Sequence, residues 1–194
     1  MIHMRTILYL LIYTYISTIL LLIILIAAYL KDVRGLWPPH SRRTMILGWL
    51  FYGSTYLAAL LTSLFEAPLP LEPVTRRIIG LSLLLIGSSI ILWAFKAFRY
   101  ARRVVGERID RLIRSGPYRY VRNPQYVGSV AILAGISLIQ NSIHLLAFTL
   151  LQAASFHLLA LLEERELTER FGSEYIKYKS ETPRYIPKLR FRRK

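Results

Sequence analysis

The chain has 194 residues, of which 54% are hydrophobic, and its 26 basic and 11 acidic side chains give it a formal net charge of +15. A soluble nucleic-acid-binding domain would explain the charge but not the long apolar runs, so we exclude nucleic acid as a partner. The sequence has no cysteine, which excludes disulfides, a thiolate nucleophile and cysteine-bound zinc or iron–sulfur clusters. An integral membrane protein with basic loops accounts for both properties.

Uncharged apolar runs predict the transmembrane helices. The first run, residues 7–30, has 24 residues, and at about 1.5 Å per residue it can cross a hydrocarbon core of about 30 Å. A signal peptide is the alternative, but the run exceeds a signal core and a charged segment follows it instead of a cleavage site. The second and third runs are residues 45–65 and 78–95, separated by a proline-rich loop at 66–77.

Two further runs predict a helical hairpin. Residues 127–139 are short for a span, residues 143–162 are long enough, and Gln140-Asn141 between them predicts a tight turn. We therefore predict an all-α integral membrane protein with five transmembrane helices, of which the last two form the hairpin. Residues 1–95 would contain the first three helices, and residues 96–194 would carry the functional site.

The distribution of basic residues predicts the orientation in the membrane. With five spans, 23 of the 26 Lys and Arg residues lie on one side, in the loops 31–44 and 96–125 and in the tail from residue 163. The positive-inside rule then places the N-terminus outside and the C-terminus in the cytoplasm. We expect residues 187–194 to form a basic tail near anionic lipid headgroups.

The candidate site lies at the open end of the hairpin, on the cytoplasmic side. Residues 115–128, SGPYRYVRNPQYVG, contain the turn dipeptides Gly116-Pro117 and Asn123-Pro124, and each proline disfavours helical geometry in the residue before it. Irregular backbone leaves N–H and C=O groups without helical partners, and beside hydrophobic helices these groups need hydrogen bonds from other parts of the protein or from water in a cavity. Such a segment is suited to form the wall of a ligand pocket. Because the hairpin is antiparallel, this stretch should lie close to Glu163 and Glu164. Arginines beside two carboxylates predict a site with both signs of charge.

Each candidate residue also has a structural interpretation. A solvated helix end is the alternative for Glu163 and Glu164, but their position opposite the polar turn favours functional use. Interfacial arginines commonly extend toward headgroups, whereas the rigid turn after Arg122 favours a ligand contact. Hydrogen bonds between helices explain three polar residues of the fifth span as well as a substrate path does: Gln152, Ser155 and His157. The histidines of that span lack metal-ligand spacing, and we predict no metal.

Two motifs occur in order around the hairpin. The first is GPYRYVRNPQYVG at 116–128; the second is EEREL at 163–167, followed by FGSEY at 171–175 and by Tyr178. Together they resemble the isoprenylcysteine carboxyl methyltransferase family and the related membrane phospholipid N-methyltransferases. The resemblance covers roughly residues 96–187. The first three helices match only in being hydrophobic.

This resemblance implies S-adenosylmethionine as the cofactor, with S-adenosylhomocysteine as its product, and a lipophilic substrate that enters from the bilayer lipids. The positions that match the family's cofactor pocket are Leu112, Ile113, Tyr118, Asn123, Pro124, Tyr126 and Glu163. We assign Arg122 to orient the acceptor carboxylate, with Glu164 supporting Arg122. The family usually has histidine where this chain has Asn123. Asparagine also forms hydrogen bonds but cannot become cationic, which excludes a titrating role.

Three functions stay open at this point. We expect methylation of the carboxylate of a prenylcysteine-like substrate, which is ionised at neutral pH and needs no general base. Phosphatidylethanolamine N-methylation is the alternative, and because its amine must first lose a proton, it would make Glu164 a candidate base. A non-catalytic membrane protein or a sterol-reductase-like enzyme with a nicotinamide cofactor is the third. The absence of a glycine-rich dinucleotide loop argues against the reductase.

Overall fold

Helices form the regular structure of the chain, and the described residues contain no β-strand. The computed structural model describes residues 2–31, 42–63, 69–98 and 112–188. The α-helices in these residues are α1 (Ile2–Leu30), α2 (Arg42–Thr62), α3 (Pro73–Phe98), α4 (Pro124–Gln140), α5 (Ile143–Phe171) and α6 (Ser173–Glu181). A 3-10 helix, Gly116–Arg119, precedes α4. Parts of the predicted loops 31–44, 66–77 and 96–125 and the tail from residue 189 lie outside the described residues.

The predicted all-α class is confirmed for the described residues, and the apolar runs lie in long helices. Three helices in this part of the chain are long and apolar enough to cross a bilayer, over Met4–Leu30, Pro73–Ala97 and Ile143–Phe171. The helix Pro124–Gln140 is apolar but shorter. Large aliphatic side chains on the outer faces of α1 and α3 are exposed, as contact with lipid requires. These features identify a membrane protein.

One predicted boundary is wrong: the loop 66–77 ends earlier than expected, because α3 begins at Pro73. Proline is favoured in the first helical turn, where a backbone N–H would have no helical partner. The carboxylate of Glu72 accepts hydrogen bonds from the backbone N–H groups of Val74 (2.9 Å) and Thr75 (2.6 Å). These bonds, the one from Thr75 foremost, lower the pKa of Glu72. Glu72 therefore caps α3 with a charge that suits the positive helix N-terminus.

Helices α3 and α4 pack closely along two pairs of glycines. Gly80 faces Gly135, and Gly87 faces Gly128 in the antiparallel direction. A Cβ atom on Gly87 would stand 2.6 Å from the carbonyl oxygen of Gly128, so nothing larger than glycine fits without movement. Small residues allow such close backbone approach between membrane helices. α3 is thus fixed to the helix that follows the candidate site. The boundary that we predicted between residues 1–95 and 96–194 stays a prediction.

Helix α1 packs against both α2 and α5. Hydroxyl groups join α1 to α2, with Ser17 Oγ 3.3 Å from Thr55 Oγ1. Its C-terminal half packs against α5 through an aliphatic cluster consisting of Leu25, Ala28, Leu159 and Leu162. Near the end of α5, the Arg165 guanidinium donates a hydrogen bond to the carbonyl of Tyr29 (2.7 Å) and lies over its ring. The last turn of α1 therefore lies beside the end of α5.

A buried arginine of α3 closes the turn between α4 and α5. Asn141 has a left-handed backbone (φ 61°), and its side-chain oxygen accepts a hydrogen bond from the N–H of Leu69 (2.9 Å). Arg76, only 6% exposed, donates through Nη1 to the carbonyls of Leu138 and Ile139. These carbonyls belong to the last turn of α4, where the N–H groups of a following helical turn are missing, and the carbonyl of Leu138 also accepts the N–H of Asn141 (3.2 Å). The predicted tight turn is confirmed, and α3 holds it in place.

Candidate functional site

The stretch before α4 is irregular, as its prolines predict. It forms the 3-10 helix Gly116–Arg119, and α4 begins at Pro124. Gly116 has a positive φ of 60° and lies against α3, where an added Cβ would be 3.1 Å from the Cβ of Ala97. Tyr118 is buried and packs with Ala94 of α3. The glycine supplies a backbone conformation that other residues rarely adopt, and this conformation turns the chain from α3 toward α4.

Residues 182–185, which we call the C-terminal strap, lie along this stretch. The backbone N–H of Arg122 donates to the carbonyl of Pro183 (2.9 Å), and the N–H of Asn123 donates to the carbonyl of Arg184 (3.2 Å). Both donors precede α4, so no helical carbonyl is available to them. The strap therefore supplies the partners that the irregular backbone needs.

Helix α6 docks onto the same stretch. It follows α5 after Gly172, whose φ of 51° interrupts the helix between Phe171 and Ser173. The hydroxyl of Tyr178 donates to the carbonyl of Tyr118 (2.7 Å). Burial raises the pKa of Tyr178, so the hydroxyl stays protonated and remains a donor. Arg114 adds a hydrogen bond to the carbonyl of Glu174 (2.6 Å). Helix α6 thus packs over the irregular stretch that precedes α4.

Glu164 lies at the centre of the site and is 4% exposed. Its Oε1 accepts hydrogen bonds from Arg122 Nη2 (2.9 Å) and Arg184 Nε (2.7 Å). Its Oε2 accepts one from Arg184 Nη2 (3.0 Å) and lies 3.1 Å from Lys179 Nζ. The hydrogen bond to Glu164 raises the pKa of Arg184. Three cations favour the ionised carboxylate, and they leave the cluster with an excess of positive charge.

Two buried donors at the start of α4 have no partner among the described residues, Arg122 Nε and Asn123 Nδ2. The side chain of Arg122 is 8% exposed and also donates from Nη1 to the carbonyl of Lys179 (2.8 Å). Buried polar atoms are nearly always hydrogen-bonded, so two unpaired donors on consecutive residues are unusual. They are suited to bind the oxygen or nitrogen acceptors of a ligand.

The structure places the predicted site residues unevenly around this cluster. Arg122 and Glu164 contact each other directly, whereas Glu163 is half-buried beside them. Tyr126 stacks on Phe156 of α5, with ring centroids 5.1 Å apart. The remaining positions are buried or half-buried on the stretch itself or just before it: Leu112, Ile113, Tyr118, Asn123 and Pro124. Ile113 packs against the pair formed by Tyr118 and Ala94.

Sequence reasoning missed two residues of the cluster, Arg184 and Lys179. Both lie in the basic C-terminal region, where the sequence contains many other Lys and Arg residues. The one local signal is Pro183, which cannot continue α6 and so predicts a change of chain direction just before Arg184. That signal places a turn but names no partner for the arginine.

Comparison with known proteins identifies the family. Residues 75–174 match the phospholipid methyltransferase family. The chain is similar to protein-S-isoprenylcysteine O-methyltransferase B of Arabidopsis thaliana, with 24% identity over 160 residues, which are 76% of this chain and 81% of the relative. A probable protein-S-isoprenylcysteine O-methyltransferase of Oryza sativa subsp. indica is 27% identical over 160 residues, 76% of this chain and 84% of the relative. No solved structure matches the chain significantly.

The family match covers more than half of the sequence, from the start of α3 into α6. It includes the first motif and the EEREL segment of the second, and it begins at α3 rather than near residue 96 as the resemblance predicted. The chain therefore belongs to the phospholipid methyltransferase family and is a membrane methyltransferase.

Proposed function

We propose that the protein transfers the methyl group of S-adenosylmethionine to the carboxylate of a prenylcysteine-like lipid. The proposal rests on the charges around Arg122, because Arg122, Arg184 and Lys179 surround the single carboxylate of Glu164. The excess positive charge favours an anionic acceptor, and arginine binds carboxylates in a defined geometry. The names of the similar plant proteins, isoprenylcysteine O-methyltransferases, support the same acceptor.

The same cluster disfavours an amine acceptor. The amine of phosphatidylethanolamine must lose a proton before it can attack a methyl group. Both oxygens of Glu164, our candidate base, already accept hydrogen bonds from cations, which makes this carboxylate a poor proton acceptor. A protonated amine would also be repelled by the excess positive charge. Phospholipid N-methylation is the second candidate because the family to which the chain belongs is that of the phospholipid methyltransferases.

The residues at the start of α4 fit the proposed cofactor. S-adenosylmethionine, when bound, supplies an electrophilic methyl group on a sulfonium. The buried Nδ2 of Asn123, which has no partner among the described residues, is a suitable donor for the cofactor's carboxylate or ring nitrogens. We assign the carboxylate of Glu163 to the cofactor's ammonium group. The remaining residues that we assign to the cofactor pocket are Leu112, Ile113, Tyr118, Pro124 and Tyr126.

The protein's own contribution is positioning and the exclusion of water. Arg122 is held by the carboxylate of Glu164 and the carbonyl of Lys179, which fixes the plane of its guanidinium group. Its Nε has no partner among the described residues and is assigned to the acceptor carboxylate. Since that carboxylate is already ionised at neutral pH, no protein group needs to move a proton. Orientation of the reactants can supply much of the rate acceleration in such a displacement.

We further propose that α1 to α5 all cross the membrane, with the site in the cytoplasm and the acceptor entering from the bilayer. Helix α4 has 17 residues and so is about 26 Å long, which suits a span next to an interfacial site. The chain has no native cysteine, so single cysteines can report the topology. In sealed vesicles, a membrane-impermeant maleimide should label Gln140→Cys and Lys188→Cys from opposite sides. Labelling of both from the same side would contradict five spans.

The function is tested with purified protein, labelled S-adenosylmethionine and two acceptors in parallel, N-acetyl-S-farnesylcysteine and phosphatidylethanolamine. We expect a base-labile methyl ester on the first. Arg122→Gln should strongly reduce its formation, whereas Arg119→Gln, which alters an exposed arginine of the same stretch, should retain it. Base-stable product on the phospholipid would establish the second candidate instead. Absence of product on both, with no calorimetric binding of S-adenosylhomocysteine, would refute the methyltransferase proposal.

A further inference from the structure

Arg184 lies outside the part of the chain that matches the family, which ends at residue 174, yet it contacts the site in two ways. Its side chain donates two hydrogen bonds to the two oxygens of Glu164, at 2.7 and 3.0 Å. Its backbone carbonyl accepts the N–H of Asn123. A single residue of the C-terminal strap therefore binds both the central carboxylate and the backbone at the start of α4.

We propose that Arg184 is a positioning residue of the methyl-transfer site, which fixes Glu164 and through it the guanidinium group of Arg122. The inference rests on the proposed function, in which Arg122 holds the acceptor carboxylate. Neither the acceptor nor the cofactor needs to contact Arg184 itself. Its role is to hold Arg122 in one orientation, so that the acceptor meets the methyl group in line.

The geometry explains why Glu164 needs this partner. Glu164 accepts one hydrogen bond from Arg122, through Oε1, and a glutamate side chain held by a single contact can rotate about its own bonds. A bidentate arginine engages both oxygens and so defines the plane of the carboxylate. Lys179 cannot replace it, because its ammonium group is a point charge on a side chain that is 47% exposed, against 26% for Arg184. Exposed ion pairs are weakened by solvent and salt.

The strap has further anchors, so a change at Arg184 should leave it docked. The hydroxyl of Tyr185 lies 3.0 Å from Nδ1 of His157, seven residues before Glu164 on α5. The N–H of Arg122 bonds to the carbonyl of Pro183, a contact that no side-chain substitution removes. Consecutive strap residues thus bind α5 about two turns apart. An Arg184 variant is therefore expected to fold, so that its kinetics measure how well Glu164 and the guanidinium group of Arg122 are positioned.

The matched pair for the test is Arg184→Gln and Lys179→Gln, because each removes one cation from the same carboxylate. For Arg184→Gln we expect the KM of N-acetyl-S-farnesylcysteine to rise about tenfold or more, with a much smaller change in the KM of S-adenosylmethionine. For Lys179→Gln we expect a smaller rise in the KM of the acceptor, of about threefold, because solvent weakens the ion pair of its exposed ammonium group. Arg184→Lys keeps the charge but loses the bidentate contact, and should fall between the two.

A double-mutant cycle distinguishes positioning from general stability. If Arg184 acts through Glu164, then Arg184→Gln should add less than about a threefold loss once Glu164→Gln is present. Independent, multiplying effects would overturn the inference. So would an Arg184→Gln variant whose two KM values match those of Lys179→Gln.

Hydrogen exchange provides a readout that needs no activity. The strap of Arg184→Gln should stay docked but open more often, because it loses the ion pair to Glu164. The amide protons of Arg122 and Asn123, which bond to the strap, should therefore exchange faster in Arg184→Gln than in Lys179→Gln, while those of α4 should be unchanged. Equal exchange in the two variants would refute the positioning role. If the wild type methylates neither acceptor, the proposed function fails, and the exchange measurement still decides whether Arg184 fixes the start of α4.

Discussion

Two buried arginines stand at opposite ends of α4, and we assign a structural role to Arg76 and a functional role to Arg122 because their partners differ. Arg76 is 6% exposed and the side chain of Arg122 is 8% exposed. Both have an Nε with no partner among the described residues. Arg76, however, donates to main-chain carbonyls of Leu138 and Ile139, whereas Arg122 also binds the carboxylate of Glu164.

The carbonyls at the end of α4 form the negative end of a helix dipole, so Arg76 meets the neutral partners that a helix C-terminus needs. Arg122 instead belongs to a cluster in which cations outnumber carboxylates, with three chain segments converging on Glu164. Neither burial nor an unpaired donor therefore identifies a functional arginine. The functional assignment depends instead on the charge of the hydrogen-bond partners and on the chain segments that supply them.

The largest effect is expected from Arg122→Gln. Loss of the guanidinium group should lower kcat/KM for the prenylcysteine analogue about a thousandfold, because the acceptor loses its charged anchor. Glu164 keeps Arg184 and Lys179, so the thermal unfolding temperature in detergent should fall by only a few degrees. Parallel measurements of methyl transfer and unfolding test this. Loss of folding together with activity would assign Arg122 the structural role of Arg76.

Glu164→Gln should lower kcat/KM about a hundredfold, since the amide cannot hold Arg122 and Arg184 as a carboxylate does. The pH dependence separates positioning from base catalysis. Without a general base, activity on an amine acceptor would recover at high pH, where the amine loses its proton by itself. We expect no such recovery with the prenylcysteine analogue between pH 7 and pH 9.

Arg76→Gln should affect stability and leave acceptor binding unchanged. We expect the free energy of unfolding to fall by about 2 kcal/mol, the usual scale for hydrogen bonds from a charged group. The KM of the acceptor should change less than about twofold, since the turn lies at the far end of α4. Arg77→Gln, which alters the exposed neighbouring arginine, is the matched control and should leave unfolding unchanged. A raised KM for Arg76→Gln would remove the distinction between the two arginines.

The smallest effect is expected at Glu72, which caps the helix that carries Arg76. Its pKa is lowered in the folded protein, so the charged cap stabilises the fold at neutral pH. This contribution is lost as the pH falls through the folded pKa. Glu72→Gln should therefore lower the unfolding temperature slightly at pH 7, and the difference from wild type should shrink as the pH falls through the lowered pKa of Glu72. A difference independent of pH would exclude the charge as its cause.

The sequence was sufficient to place the helices and the irregular stretch. Uncharged runs and the prolines at 117 and 124 determine these features locally. The beginning of α3 was misplaced because Pro73 fits a turn as well as a first helical turn. Sequence reasoning paired Glu164 with Arg122, and the structure shows this contact. It could not predict that Glu164 also faces Arg184 and Lys179, since neighbours on a helix point about 100° apart and the rotation of α5 depends on packing. The contact of Arg184 was also beyond prediction, because it depends on the path of the strap after Pro183.

The order of synthesis gives the strap a further consequence. Pro183 and Arg184, whose carbonyls complete the backbone before α4, are made after every one of the long helices. A nascent chain whose long helices are already in the membrane still lacks the contacts that fix Arg122 and Asn123. The proposed site is therefore complete only after residues 182–185 have left the ribosome, and we expect partly synthesised chains in the membrane to transfer no methyl group.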